Sequence, residues 1–381
     1  MSRWSRYAPY LFALLLFAVG GLAIFKLLNP AETVRQYYAP APLAGSPATD
    51  AGFSSEADNS TQATSTTVVE KKEEKEPPVA KVAPPPAETT VSAAPVSLPI
   101  EASTDAGSLD AGAQMLRGAL VNILCYAPAG GRIRSTSGGG IFIDPKGIIL
   151  TNAHIAQYLL LADQSVSCRI RSGNPAKDMY QASLVYVSPA WLKTNPRVVT
   201  EAEADGDGQY DYALLAVTKS MTSEPLPSRF PFISLSAAPP VQGVGVAIAS
   251  YGAQFLDAEQ IRSALYPIVV YGSVKELFTF GTNTADVLAL GGSAAAQEGS
   301  SGGGVTDSSG KLVGLITTST VTGETSSRSL NALSATYVRA QYASETGQAL
   351  DLLLAAPIAD SVAAFASRIP ELEKIITTGL P

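Results

Sequence analysis

A serine, a histidine and an aspartate can together cleave an amide. The hydroxyl attacks, the imidazole takes its proton, and a buried carboxylate holds that imidazole in the right tautomer. This 381-residue chain has one histidine, His154, so any such chemistry has a single general base available. His154 stands in Ile-Leu-Thr-Asn-Ala-His-Ile-Ala, directly after an apolar run. Asp211 opens Asp-Tyr-Ala-Leu-Leu-Ala-Val, where a carboxylate just ahead of an apolar strand can sit at its buried end facing the histidine. Ser301 lies in Glu-Gly-Ser-Ser-Gly-Gly-Gly-Val, whose glycines let the N–H groups of Gly299 and Ser301 converge on a developing oxyanion. Asp205, Asp207 and Asp163 are fallback carboxylates, but none of them leads into an apolar strand.

Other chemistries fit less well. Gly299-Ser300-Ser301-Gly302-Gly303 also reads as a Gly-x-Ser-x-Gly nucleophile elbow, but that arrangement needs a histidine after the serine, and none follows. One histidine and two well-separated cysteines, Cys125 and Cys168, cannot assemble a zinc site. Asp205-Gly-Asp207-Gly-Gln-Tyr-Asp211 has the alternating oxygens of a calcium loop without its closing glutamate, and reads as an acidic surface loop. No metal and no cofactor is therefore expected. A net charge of -7 with no basic run longer than Lys71-Lys72 argues against nucleic acid as a partner.

The elements that must position these residues read as strands. Leu120–Cys125 is the first. Gly140–Ile143 and Ile148–Thr151 form a hairpin whose turn, Asp144-Pro145-Lys146-Gly147, delivers the chain to His154. Further apolar runs at 182–187, 212–217, 243–249, 267–271, 285–290 and 311–316 are separated by turns, as in an all-β barrel or sandwich. After them Leu350, Leu353, Leu354, Ile358, Val362, Phe365 and Ile369 recur at helical spacing, so one or two helices, interrupted at Pro357 and Pro370, close the domain and pack on it.

These strings, in the order His, Asp, Ser, resemble the trypsin-like (chymotrypsin-fold) serine proteases, and within them the bacterial HtrA-like branch. Gly138–Gly147 and Asp307–Gly314 add to the likeness, which covers roughly residues 115–345. The resemblance implies a chymotrypsin-like double β-barrel with the three residues in the cleft and protein or peptide substrates. It also implies a primary specificity pocket with Ala295, six residues before Ser301, at its base and Ile316, Thr317 and Thr318 along its wall. With no carboxylate at that base, cleavage after small or medium apolar residues is expected. Three positions depart from the pattern, the first being Ile155, which follows His154 where vertebrate members carry a cysteine. Ser300 replaces the aspartate that pairs with a freshly cut N-terminus in digestive members, and Gly304 replaces the usual proline. No PDZ-like segment follows. A catalytically inactive, peptide-binding barrel is the alternative function.

The rest of the chain is organised around export. Residues 7–28 are apolar enough to cross ~30 Å of hydrocarbon. Arg3 and Arg6 before them place the N-terminus in the cytoplasm. Phe25-Lys26-Leu27, where a cleavage site would want small residues, favours a retained anchor in the lipid bilayer over a removed leader. Residues 29–112, rich in Pro, Ala, Ser and Thr, read as a disordered tether in which Asn59-Ser60-Thr61 is a weak glycosylation match. The protease-like domain is expected over 113–345 and a helical extension over 346–381. Outside the cytoplasm Cys125 and Cys168 are free to form a disulfide, though two separate buried thiols fit the sequence equally.

Overall fold

The computed structural model describes residues 34–36, 104–201, 206–281, 284–319 and 328–380. The span expected at 7–28, most of the tether with its Asn59 sequon, and Asp205 lie outside them. Among the described residues no helix is long and apolar enough to cross a membrane.

Strand β1 (Val34–Gln36) is followed in the chain by helix α1 (Thr104–Ala119), and then by β2 (Leu120–Tyr126), β3 (Thr136–Phe142), β4 (Ile148–Thr151), β5 (Ser167–Gly173), β6 (Ala176–Val187) and β7 (Ala213–Ser220). The last six close a barrel in the order β2-β3-β4-β7-β6-β5. Its interior is aliphatic, with Val121, Ile123, Ile149, Leu184 and Leu215 all buried on the face they share. The hairpin that leads to His154 has the turn its sequence asks for: the Ile143 N–H donates to Ile148 O at 2.9 Å, and Gly147, at φ 102, donates to Asp144 O at 3.1 Å.

A second sheet follows, built from β8 (Gly245–Ser250), β9 (Ile268–Ser273), β10 (Glu276–Thr279), β11 (Val287–Ala289), β12 (Gly304–Thr306), β13 (Leu312–Ser319) and β14 (Leu330–Ser334). Its order is β10-β11-β14-β13-β12-β8-β9, with β1 parallel to β10 at one edge. It is a half-barrel where a second closed barrel was expected. β10, β11 and β12 are only three or four residues long, too short a ladder to carry the sheet round onto β9. Val246, Ile248, Leu288, Val305 and Ile316 fill its concave side. The closed barrel and this half-barrel fit a double-barrel, chymotrypsin-like architecture.

Two features differ from the expectation. The stretch read as tether contains β1 and the first half of α1, whose Leu116 is fully buried. Beyond α3 (Pro189–Thr194), α4 (Ala258–Ser263) and α5 (Ala335–Thr346), three helices, not one or two, occupy the stretch from Leu350: α6 (Leu350–Ala355), α7 (Ile358–Ala366) and α8 (Ile369–Gly379). Pro357 caps α7, whereas Pro370 sits in the first turn of α8, where its missing N–H interrupts nothing. α7 lies on β6 of the closed barrel, with Phe365 buried, so the expected apolar face does pack inward.

Cys125 and Cys168 stand directly opposite each other on β2 and β5 and are joined as a disulfide. The bond closes a separation of 43 residues, which in the chain-entropy model is worth about 4 kcal/mol. Replacing both cysteines with serine is expected to lower the thermal midpoint by on the order of 10 °C, read by calorimetry of the full chain. A midpoint that does not move would assign the bond no stabilising role.

Candidate active site

The site is assembled from the exit of one hairpin, the entry of one strand and a loop from the other sheet. β4 ends at Thr151, whose hydroxyl donates to Gly139 O at 2.7 Å. Asn152 then starts the short helix α2 (Ala153–Ala156), which carries His154. Asp211 lies just ahead of β7, the strand paired with β4, so the sheet itself brings the two residues together. The Asn152 side chain fixes that junction, donating from Nδ2 to Asp211 O at 2.9 Å.

His154 engages both oxygens of Asp211. Its backbone N–H donates to Oδ1 at 2.9 Å, and Nδ1 meets Oδ2 at 2.8 Å. Because a carboxylate can only accept, Nδ1 carries the proton and Nε2 is left as the basic nitrogen. Asp211 keeps 5% of its side-chain surface and His154 16%, so the carboxylate is enclosed while the imidazole still reaches the cleft. Asp163 and Asp207 are exposed, which removes both as fallback partners. Among the described residues no group of three or more His, Cys, Asp or Glu side chains is placed to hold a metal ion.

Thr317 links this pair to Ser301. Its hydroxyl donates to Asp211 Oδ2 at 2.8 Å, and its carbonyl accepts the Ser301 hydroxyl at 3.2 Å. The sequence placed Thr317 along a pocket wall, but the structure turns its side chain onto the carboxylate. Ala295 and Ile316 are fully buried in the core of the second sheet beside Ala296, and the side chain of Thr318 lies outside the described residues. Arg328 donates to Ala296 O at 2.7 Å and to Gln254 Oε1 at 2.7 Å, which brings a cation to the same segment.

The loop carrying Ser301 is held by backbone bonds from both sheets. Gly302 donates to Ile316 O at 2.9 Å, and the Gly139 N–H of the closed barrel donates to Ser301 O at 2.6 Å. Gly139 and Gly302 (φ 82) approach so closely that a side chain on either would run into the other's backbone. This contact sets the distance between the two halves. Among the described residues the N–H groups of Gly299 and Ser301 have no protein acceptor.

The departures at Ser300 and Gly304 have a local cause. Ser300 is buried and accepts a hydrogen bond from the Ser250 hydroxyl at 3.3 Å, a neutral pair where an aspartate would need a cation. At Gly304 an added Cβ would come within 2.7 Å of the δ-methyls of both Leu116 and Leu312, so α1 occupies the room a proline ring would take.

Residues 138–315 match the trypsin-like peptidase domain family, a stretch that contains His154, Asp211 and Ser301. No curated protein matches the chain. Two solved structures similar to it are the Rv3671c protease from M. tuberculosis in its active form and the same protease in an inactive form. The first is 19% identical, covers 68% of this chain and 94% of its own, and has a TM-score of 0.41. The second is 19% identical, covers 64% and 98%, and has a TM-score of 0.40. The chain is a serine peptidase, a hydrolase of peptide bonds, and residues 138–315 are the stretch in which it is similar to the trypsin-like peptidase domain.

Proposed function

We propose that the protein is a membrane-tethered endopeptidase whose protease domain works outside the cytoplasm. Ser301 Oγ attacks the scissile carbonyl and forms an acyl-enzyme. His154 Nε2 takes the hydroxyl proton and returns it to the leaving amine, Asp211 holds Nδ1–H, and the N–H groups of Gly299 and Ser301 receive the oxyanion. The observation that carries this reading is the 2.8 Å contact between His154 Nδ1 and Asp211 Oδ2, one residue, Thr317, away from the Ser301 hydroxyl. At rest that hydroxyl is parked on Thr317 O, and rotation about its Cα–Cβ bond exchanges this partner for His154 Nε2 as substrate enters.

Residues 7–28 supply the anchor, with Arg3 and Arg6 on the cytoplasmic side. That topology puts the Cys125–Cys168 bond in a compartment where disulfides persist. The substrates are proteins or peptides cut after small or medium apolar residues. The alanines at 294–296 offer no carboxylate to attract a lysine or arginine.

The test is labelling of intact cells with a membrane-impermeant fluorophosphonate, followed by a peptide panel on the purified chain. Labelling at Ser301 without permeabilisation, with fastest cleavage after Ala, Val or Leu, is the expected result. Labelling only after permeabilisation overturns the topology, and a panel in which Arg is cut fastest overturns the specificity.

A further inference from the structure

Asp211 is gripped on both sides by a helix outside its own barrel. α5 follows β14, the last strand of the second sheet. Yet Tyr337 on α5 accepts the Tyr210 N–H at 3.0 Å, and Glu345 near its end accepts the Tyr212 hydroxyl at 2.8 Å. Both neighbours of Asp211 are therefore tied to α5, at points roughly two helical turns apart.

The backbone between those ties needs holding. Tyr210 has φ 60, uncommon for a residue with a side chain, and the Tyr212 N–H folds back onto Tyr210 O at 2.8 Å in a three-residue turn centred on Asp211. A tyrosine in the left-handed region, as Tyr210 is, persists only where its surroundings over-determine it.

Glu345 is the most heavily bonded group in those surroundings. Besides Tyr212, its carboxylate accepts the Tyr186 hydroxyl at 2.5 Å, the Ser188 hydroxyl at 2.8 Å and the Ala190 N–H at 3.4 Å. The rings of Tyr186 and Tyr212 are buried and stacked with centroids 5.5 Å apart, and Tyr342 meets Tyr186 edge-on at 4.9 Å. Burial, chiefly, pushes both phenols well above the ordinary tyrosine range, so they stay protonated and donate. The chemistry at His154 uses none of these groups, and Glu345 touches neither His154 nor Ser301.

We propose that Glu345 is a positioning residue: by holding Tyr212 from across the two halves of the molecule, its carboxylate fixes where the Asp211 side chain meets His154. The proposal rests on reading His154, Asp211 and Ser301 as a triad. A displacement of about 1 Å at a catalytic group can cost on the order of 10²-fold in rate.

Glu345→Leu in the full chain, titrated with the fluorophosphonate probe, tests it. The maximal labelling rate is expected to fall by between about 10- and 100-fold while the half-saturating probe concentration stays the same. In an Asp211→Asn background the same change should cost nothing further, because no carboxylate is left to place. Equal losses in the two backgrounds, or no loss in the native one, would overturn the proposal. Should the leucine variant not fold, Tyr212→Phe removes only the hydroxyl and must show the same dependence on Asp211, and its absence counts against the proposal equally. Labelling that survives His154→Ala at the native rate refutes the triad itself, and the proposal with it.

Discussion

His154→Ala is expected to lower kcat for peptide hydrolysis by about 10⁶-fold and to leave binding of substrate largely intact. The effect should be complete because the chain has no second imidazole to take over. The backbone role of His154 survives the change, since its N–H to Asp211 Oδ1 bond belongs to the main chain. The variant should therefore fold, and single-turnover assays with a peptide ester would isolate the chemical step. A variant that keeps more than about a thousandth of the native rate would place proton transfer elsewhere.

Asp211→Asn is the second large effect, a fall of about 10⁴-fold in kcat. Three donors converge on this carboxylate: the His154 N–H, the His154 ring at Nδ1 and the Thr317 hydroxyl. An amide offers one oxygen and one NH2. If the NH2 faces the ring, Nδ1 must become the acceptor and the proton moves to Nε2, where a base is needed. If it faces the main-chain N–H instead, two donors oppose each other in a buried site. Either outcome spoils the tautomer while changing the shape very little. Comparing kcat with KM across the two proteins separates this from a loss of fold, since only kcat should fall. A native kcat in the asparagine variant would deny Asp211 its role.

The residues brought together at this site were legible because each is followed or preceded by a strand that points it inward. His154 comes off one strand of a hairpin and Asp211 enters its paired neighbour, so the pairing of β4 with β7 was implicit in two apolar runs. Thr317 was harder to read. Strand alternation assigns side chains to faces by counting, and the register of β13 against β14 shifts between Ile316 and Thr318, so counting fails at the residue that matters. β5 was missed because Arg169 and Arg171 sit in it. Arg171 is buried there by partners distant in sequence, among them Asn122 Oδ1 and the carbonyls of Ile261 and Arg262. Helix α1 hid behind Gly107, Gly112 and Gly118, which are poor helix formers, and forms because Leu116 has a core to enter. Glu345 fell at the boundary drawn between domain and extension, and nothing near it in the chain names Tyr186 or Tyr212 as its partners.

The seat of Leu116 against Gly304 has a mechanical side. α1 runs directly into β2 of the closed barrel, while β12, which its Leu116 meets, begins three residues past Ser301. Trimming Leu116 would therefore open a void behind the strand that runs on from that hydroxyl, and the loss would be felt at the nucleophile's loop as well as in the core.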